Sequence, residues 1–282
     1  MNYKSIKYNL VIVYMRRNSN PILDLPTFGS KYKFGLKRSK ITDNDKVGML
    51  HYEQVALPNK FDLRDYYKIE PYNQLHTNSC SANAISNQLK IILQNVQSKI
   101  EPSRAFIYFN SLLFDRDKAN SKAEIQDNGA SLKSCFESLQ KYKFCDEEYH
   151  KFDENTITSF PTYDAYLDAF NNDYIKSFSC IHPSLYTLKY ILAVQKKAIV
   201  FGMAVYSNFE ALDANNYVLS KPKIQDLYLG LHGVLMIGYD DTDETFIICN
   251  SHGKSFGLNG FFKIKTEYIT DANLSFEFWV LN

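Results

Sequence analysis

A chain of 282 residues, 45% hydrophobic and 15% aromatic, holds enough apolar material for one large domain or two joined lobes. Its net charge of +1 excludes the whole-chain basic field that recruits nucleic acid or an anionic membrane, so neither is expected as a partner. The five cysteines are an odd number without close pairing, and no Cys-x-x-Cys pair is present. They argue against a disulfide scaffold and a structural metal, and for a reducing compartment such as the cytoplasm.

In chain order, Leu10–Met15 is the first apolar run, too short to span a bilayer and rich in β-branched residues. It predicts a strand or buried extended segment, with a secretory signal as the minority reading because Arg16-Arg17 stands where small cleavage-site residues belong. Residues 16–56 lack a sustained period and read as an extended leader. Residues 1–57 carry ten Lys/Arg against four Asp/Glu, and the remainder 22 against 27, so the leader and body are predicted to dock on each other. The compact body is expected to start at Leu57-Pro58.

Ala84, Ile85, Leu89, Ile92 and Leu93 recur at helical spacing and predict a helix from Cys80 to about Val96. Further helices are expected at Pro102–Leu113, Ala130–Tyr142 and Tyr186–Val194. Strands are expected at Ala198–Val205, Gly233–Tyr239, Thr245–Cys249 and Gly260–Ile264. Helices first and strands later give an α+β fold, with a helical lobe over about 57–176 and a β-rich lobe over about 177–282.

Cys80 opens the first helix, and a helix N-terminus beside a histidine favours a thiolate. His232 heads the apolar run that follows it, which would set the imidazole across an interlobe cleft from Cys80. Asn250 closes the next strand, where its amide could orient that ring. Gln74, six residues before Cys80, could join the Cys80 amide in stabilising an oxyanion. Taken singly these are a core cysteine, a structural histidine, a turn asparagine and a loop glutamine; together they form a nucleophile site. His252 is a rival base, lacking the strand context of His232.

These residues make the chain resemble the papain-like cysteine peptidases. His232 and Asn250 follow Cys80 by 152 and 170 residues, slightly beyond the family's separation of about 130–150. The segment from Asn250-Ser251-His252-Gly253 to Asn259-Gly260-Phe261 is similar to the family's Asn-Ser-Trp-Gly and Asn-Gly-Tyr segment, and Leu57-Pro58 with Phe61-Asp62-Leu63-Arg64 resembles the start of its mature domain. Ser79–Ala84 and Pro102–Tyr108 bring the likeness closest to the bacterial and viral branches. Ser81 replaces the Trp after the nucleophile, Thr77 a disulfide cysteine, Leu75 and Asn78 glycines, and His252 the Trp that shields the His–Asn bond.

The resemblance implies a two-lobe fold with a β-barrel-like second lobe and an interlobe cleft. It implies a cysteine endopeptidase without a cofactor, acting on proteins or peptides through Cys80, His232, Asn250 and Gln74. Asn128, Gly129, Ala130 and Leu231 would bind the substrate backbone. Residues 1–56 would be a zymogen's inhibitory propeptide, and a viral source would place the protein in the virion or host-cell cytoplasm. A catalytically silent scaffold of the same fold and a peptide ligase or transferase using the same thiol remain open.

Overall fold

The computed structural model describes residues 29–42, 45 and 55–282, so Leu10–Met15 lies outside the described residues. Helix α1, Cys80–Asn95, is a buried rod: nearly every residue from Cys80 to Leu89 is shielded from solvent. Burial on all sides obliges its polar side chains to find partners. Asn83 Nδ2 donates to the Ser79 carbonyl at 2.9 Å and its Oδ1 accepts from Arg104 at 2.9 Å. Gln88 Nε2 donates to the Ala198 carbonyl at 2.8 Å, tying the helix to the strands behind it.

Helix α2, Arg104–Lys118, begins beyond Pro102 because the Ser103 hydroxyl caps it, accepting from the Phe106 amide at 3.1 Å. It runs on past the expected end, with Arg116 and Lys118 in a last turn where cations suit the helix dipole. Helix α3, Leu132–Tyr142, is capped in the same way by Ser131. Helices α4, Tyr163–Asn171, and α5, Leu185–Ala193, follow.

One mixed sheet carries the second half of the body. Its strands are β1 (Lys60–Asp62), β2 (Phe178–Ile181), β3 (Ile199–Tyr206), β4 (Val218–Leu219), β5 (Tyr228–Asp240), β6 (Thr245–Cys249), β7 (Phe261–Lys265) and β8 (Ser275–Leu281). The order is β2-β8-β3-β5-β6-β7-β4, with β1 paired to the far end of β5. All pairs are antiparallel except β4 with β7. The architecture is the expected α+β, but the sheet is open rather than barrel-like. Its edges are a four-residue and a two-residue strand at opposite ends of the order, too short to close it on itself.

His232 does not head its strand as expected. Strand β5 already runs from Tyr228, and the glycines that look like breakers lie inside it. Gly230, at φ 149°, and Gly233 serve close approach instead: a Cβ built on them would sit 2.9 Å from Phe34 Cβ and 3.3 Å from Ser81 Cα.

Candidate active site

Cys80 is the first residue of α1 and is fully buried. Backbone N–H groups of Gly233, Gly35, Ser81 and Cys80 itself face its sulfur, yet burial outweighs them and pushes the thiol up to about 11. The contact of Gly233 with Ser81 is what brings the start of α1 against the strand carrying His232. Ser81 is small enough for that approach, and its hydroxyl accepts from the Cys135 thiol at 3.3 Å. All five cysteines are buried.

His232 and Asn250 meet between β5 and the end of β6. His232 Nε2 lies 2.8 Å from Asn250 Oδ1, an arrangement that places the ring proton on Nε2. Nδ1 is then the free lone pair, and it is buried with no hydrogen-bond partner. Burial lowers the His232 pKa to about 4 against the opposing effect of Asn250. The resting site therefore holds a neutral thiol and a neutral imidazole. His252 stacks on His232 with centroids 4.8 Å apart and planes 9° from parallel, and Asn250 Nδ2 lies 3.0 Å from its Nδ1.

Gln74 is fully buried and fixed from both ends. Its Oε1 accepts from the Ser251 hydroxyl at 2.6 Å, and its Nε2 donates to the Thr77 carbonyl at 2.8 Å. The same Nε2 also donates at 3.2 Å to the carbonyl of Lys33, a leader residue.

The leader crosses the site in extended form. Gly35 pairs with Leu231 and Lys37 with Ser131, both in parallel sense. The Leu36 amide donates to the Leu231 carbonyl at 3.2 Å, and the Lys37 amide to the Ala130 carbonyl at 3.3 Å. A Cβ on Gly129, at φ 77°, would lie 1.7 Å from the Gly35 carbonyl oxygen. Gly129, Ala130 and Leu231 thus touch the strand-like leader, whereas Asn128 is exposed and its amide bonds locally to Gln126. Tyr32 stacks on His252 at 4.1 Å, and Phe34 meets His232 edge-on at 5.4 Å. Outside the crossing, the Lys31 amide donates to Glu210 at 3.0 Å and the Ser39 amide to Glu277 at 2.6 Å.

Sequence reasoning missed Ser251, the His252–Asn250 contact and the seated leader residues. A signal for the last existed: Tyr32, Phe34 and Leu36 alternate with Lys33 and Gly35, the period of an extended strand. Among the described residues no group of His, Cys, Asp and Glu could hold a metal ion, and no helix is long and apolar enough to cross a membrane.

Comparison with known proteins gives one answer. An uncharacterised peptidase C1-like protein of Acanthamoeba polyphaga mimivirus is 30% identical over 234 residues, spanning 78% of this chain and 73% of its own. The crystal structure of xylellain, a cysteine protease from Xylella fastidiosa, superposes with a TM-score of 0.76 at 28% identity, over 91% of this chain and 99% of that one. Digestive procathepsin L2 proteinase from Tenebrio molitor larval midgut shares the fold, with a TM-score of 0.66 at 14% identity over 100% of this chain and 94% of its own. These likenesses favour a protease acting on protein or peptide substrates over a silent scaffold. Residues 57–277 match the papain family of cysteine proteases, and the chain belongs to that family as a cysteine peptidase with its two-lobe fold.

Proposed function

We propose that the chain is a cysteine endopeptidase working through Cys80, His232, Asn250 and Gln74, with residues 1–56 as a removable inhibitory leader and residues 57–282 as the peptidase body. The observation that carries this reading is the polarity of the His232 ring. Its Nε2 is committed to Asn250, and its Nδ1 is a buried lone pair without a partner.

Once the leader leaves, Nδ1 takes the Cys80 proton and the thiolate attacks the substrate carbonyl carbon. Negative charge passes to the carbonyl oxygen, which accepts from Gln74 Nε2 and the Cys80 amide, the former now donating to Lys33. The protonated ring then gives its proton to the leaving amine as the C–N bond breaks. Water, deprotonated by the same ring, releases the acyl group from sulfur and restores the thiol. Gly129, Ala130 and Leu231 offer the backbone groups along which the leader lies, and a substrate backbone would take its place there.

Labelling with a thiol-directed epoxide peptide, followed by mass spectrometry, tests the site. Label should fall on Cys80 in wild-type protein and be lost in Cys80→Ala, and His232→Ala should remove turnover of a peptide by at least about a thousand-fold. Preferential labelling of Cys135 or Cys249, or full turnover without His232, would sink the assignment.

A further inference from the structure

His252 stands where the family resemblance implies a shielding Trp, and shielding alone would not need a ring nitrogen 3.0 Å from the Asn250 amide nitrogen. An asparagine amide has two nearly isosteric orientations with opposite hydrogen-bonding sense. With Oδ1 toward His232, the imidazole proton is held on Nε2 and Nδ1 is free to act as a base. With Nδ2 toward His232, Nε2 must accept, the proton moves to Nδ1 and the base is lost. Asn250 is almost wholly buried, so no solvent chooses between the two. We propose that His252 is a positioning residue whose unprotonated Nδ1 accepts from Asn250 Nδ2, locking the amide in the one orientation that leaves His232 Nδ1 free. The inference rests on the catalytic assignment of Cys80 and His232 above.

The surroundings of His252 fit a neutral ring protonated on Nε2. Burial and then the neighbouring His232 hold its pKa well below the ordinary histidine value, with Lys31 acting in the same direction. The Lys33 carbonyl is the opposing group, an acceptor facing the ring, while Nε2 is buried without a hydrogen-bond partner of its own. His232 from β5, and Lys31 and Tyr32 from the leader, are the titratable groups that face it. Tyr32, Phe34, Phe209 and Phe256 supply apolar walls. Protonating His252 would place N–H against N–H at Asn250 and turn the amide round. The lock thus opens in acid, when both stacked rings compete for charge.

A double-mutant cycle separates this role from shielding. His252→Phe keeps an aromatic ring against Tyr32 and removes the acceptor, so kcat for a fluorogenic peptide should fall roughly ten-fold, the equivalent of about 1.4 kcal/mol, with KM little changed. In an Asn250→Asp background the same substitution should cost two-fold or less, by roughly the non-additivity expected of coupled neighbours, because a carboxylate presents oxygen to His232 in either orientation. An equal loss in both backgrounds would overturn the proposal and leave shielding as the role. Histidine-ring nitrogen NMR on the full-length protein gives an answer independent of turnover. His252 should show a bare Nδ1 and a protonated Nε2 at neutral pH, and the reverse tautomer would overturn the lock. Undiminished turnover in His232→Ala would instead remove the catalytic reading, and this inference with it.

Discussion

Ser251 does the same kind of service for Gln74 that His252 does for Asn250. Its hydroxyl holds Gln74 Oε1, so the opposite amide edge points N–H groups at Thr77 and into the cleft. Ser251→Ala would leave a buried oxygen without its donor, at a cost of about 1–3 kcal/mol of stability. It would also let the amide rotate. We expect kcat to fall roughly ten-fold with KM nearly unchanged, less than the loss from deleting an oxyanion donor outright; a change confined to KM would count against a role for Gln74 at the transition state. Cys80, His232, Asn250 and Gln74 could be proposed from the sequence because a nucleophile, a base, an orienter and a donor must each be of a particular residue type. The supports were not. Serine and histidine in a turn carry no marker of what they touch, and only the fold brings residue 251 to residue 74.

Among the elements, α1 announced itself through apolar spacing, and α3 and α5 lie within two residues of their expected bounds. Helix α4 did not, because it buries only Ala165 and Ala169 while Tyr163, Leu167 and Phe170 face solvent. Strands β2 and β8 went unseen since each takes its identity from the other through long-range pairing, Phe178 with Leu281 and Ile181 with Phe278. The leader's crossing turns on Gly35: a Cβ there would lie 2.2 to 2.6 Å from Asn78 Cβ, backbone oxygen and Cα. Backbone cannot yield as a flexible side chain does, so Gly35→Ala should weaken leader docking by about 1–3 kcal/mol. The full-length variant should then label at Cys80 roughly five- to 150-fold faster than wild type. Unchanged labelling would mean that the leader does not guard the thiol.

For the molecule as a whole, the buried imidazoles couple leader docking to pH. His232 and His252 are both held below the ordinary histidine value, so the covered state takes up fewer protons than one in which the leader's departure lets water reach the two rings. That contribution to docking is complete above about pH 6.5 and is lost as pH falls through the window towards about 4 set by His232. Glu277 acts in the opposite sense, since burial raises its pKa and the covered state accepts its proton first, which offsets part of the loss. Two imidazoles against one carboxyl make the net direction release in acid. Epoxide labelling of Cys80 in the full chain should therefore accelerate between pH 7 and pH 4.5, although an ordinary thiol grows less reactive there. A steady decline across that range would refute the coupling.

Strand β5 is gripped by the N-terminal part of the chain at two places, by Gly35 beside Leu231 and by Phe61 beside Tyr239. Eight residue steps of the strand separate these grips, about 26 Å at the usual rise. The 24 residues between Gly35 and Lys60 have a contour length of roughly 80 Å. On the proposed inhibitory reading, a connection of that length would make the leader a ligand on a tether, able to leave and return while its local concentration stays near the millimolar range set by a short linker. Diluting the protein cannot relieve the block, but a single cut in the tether converts an intramolecular equilibrium into a bimolecular one. From then on, how much protease is at work depends on how much protein is present.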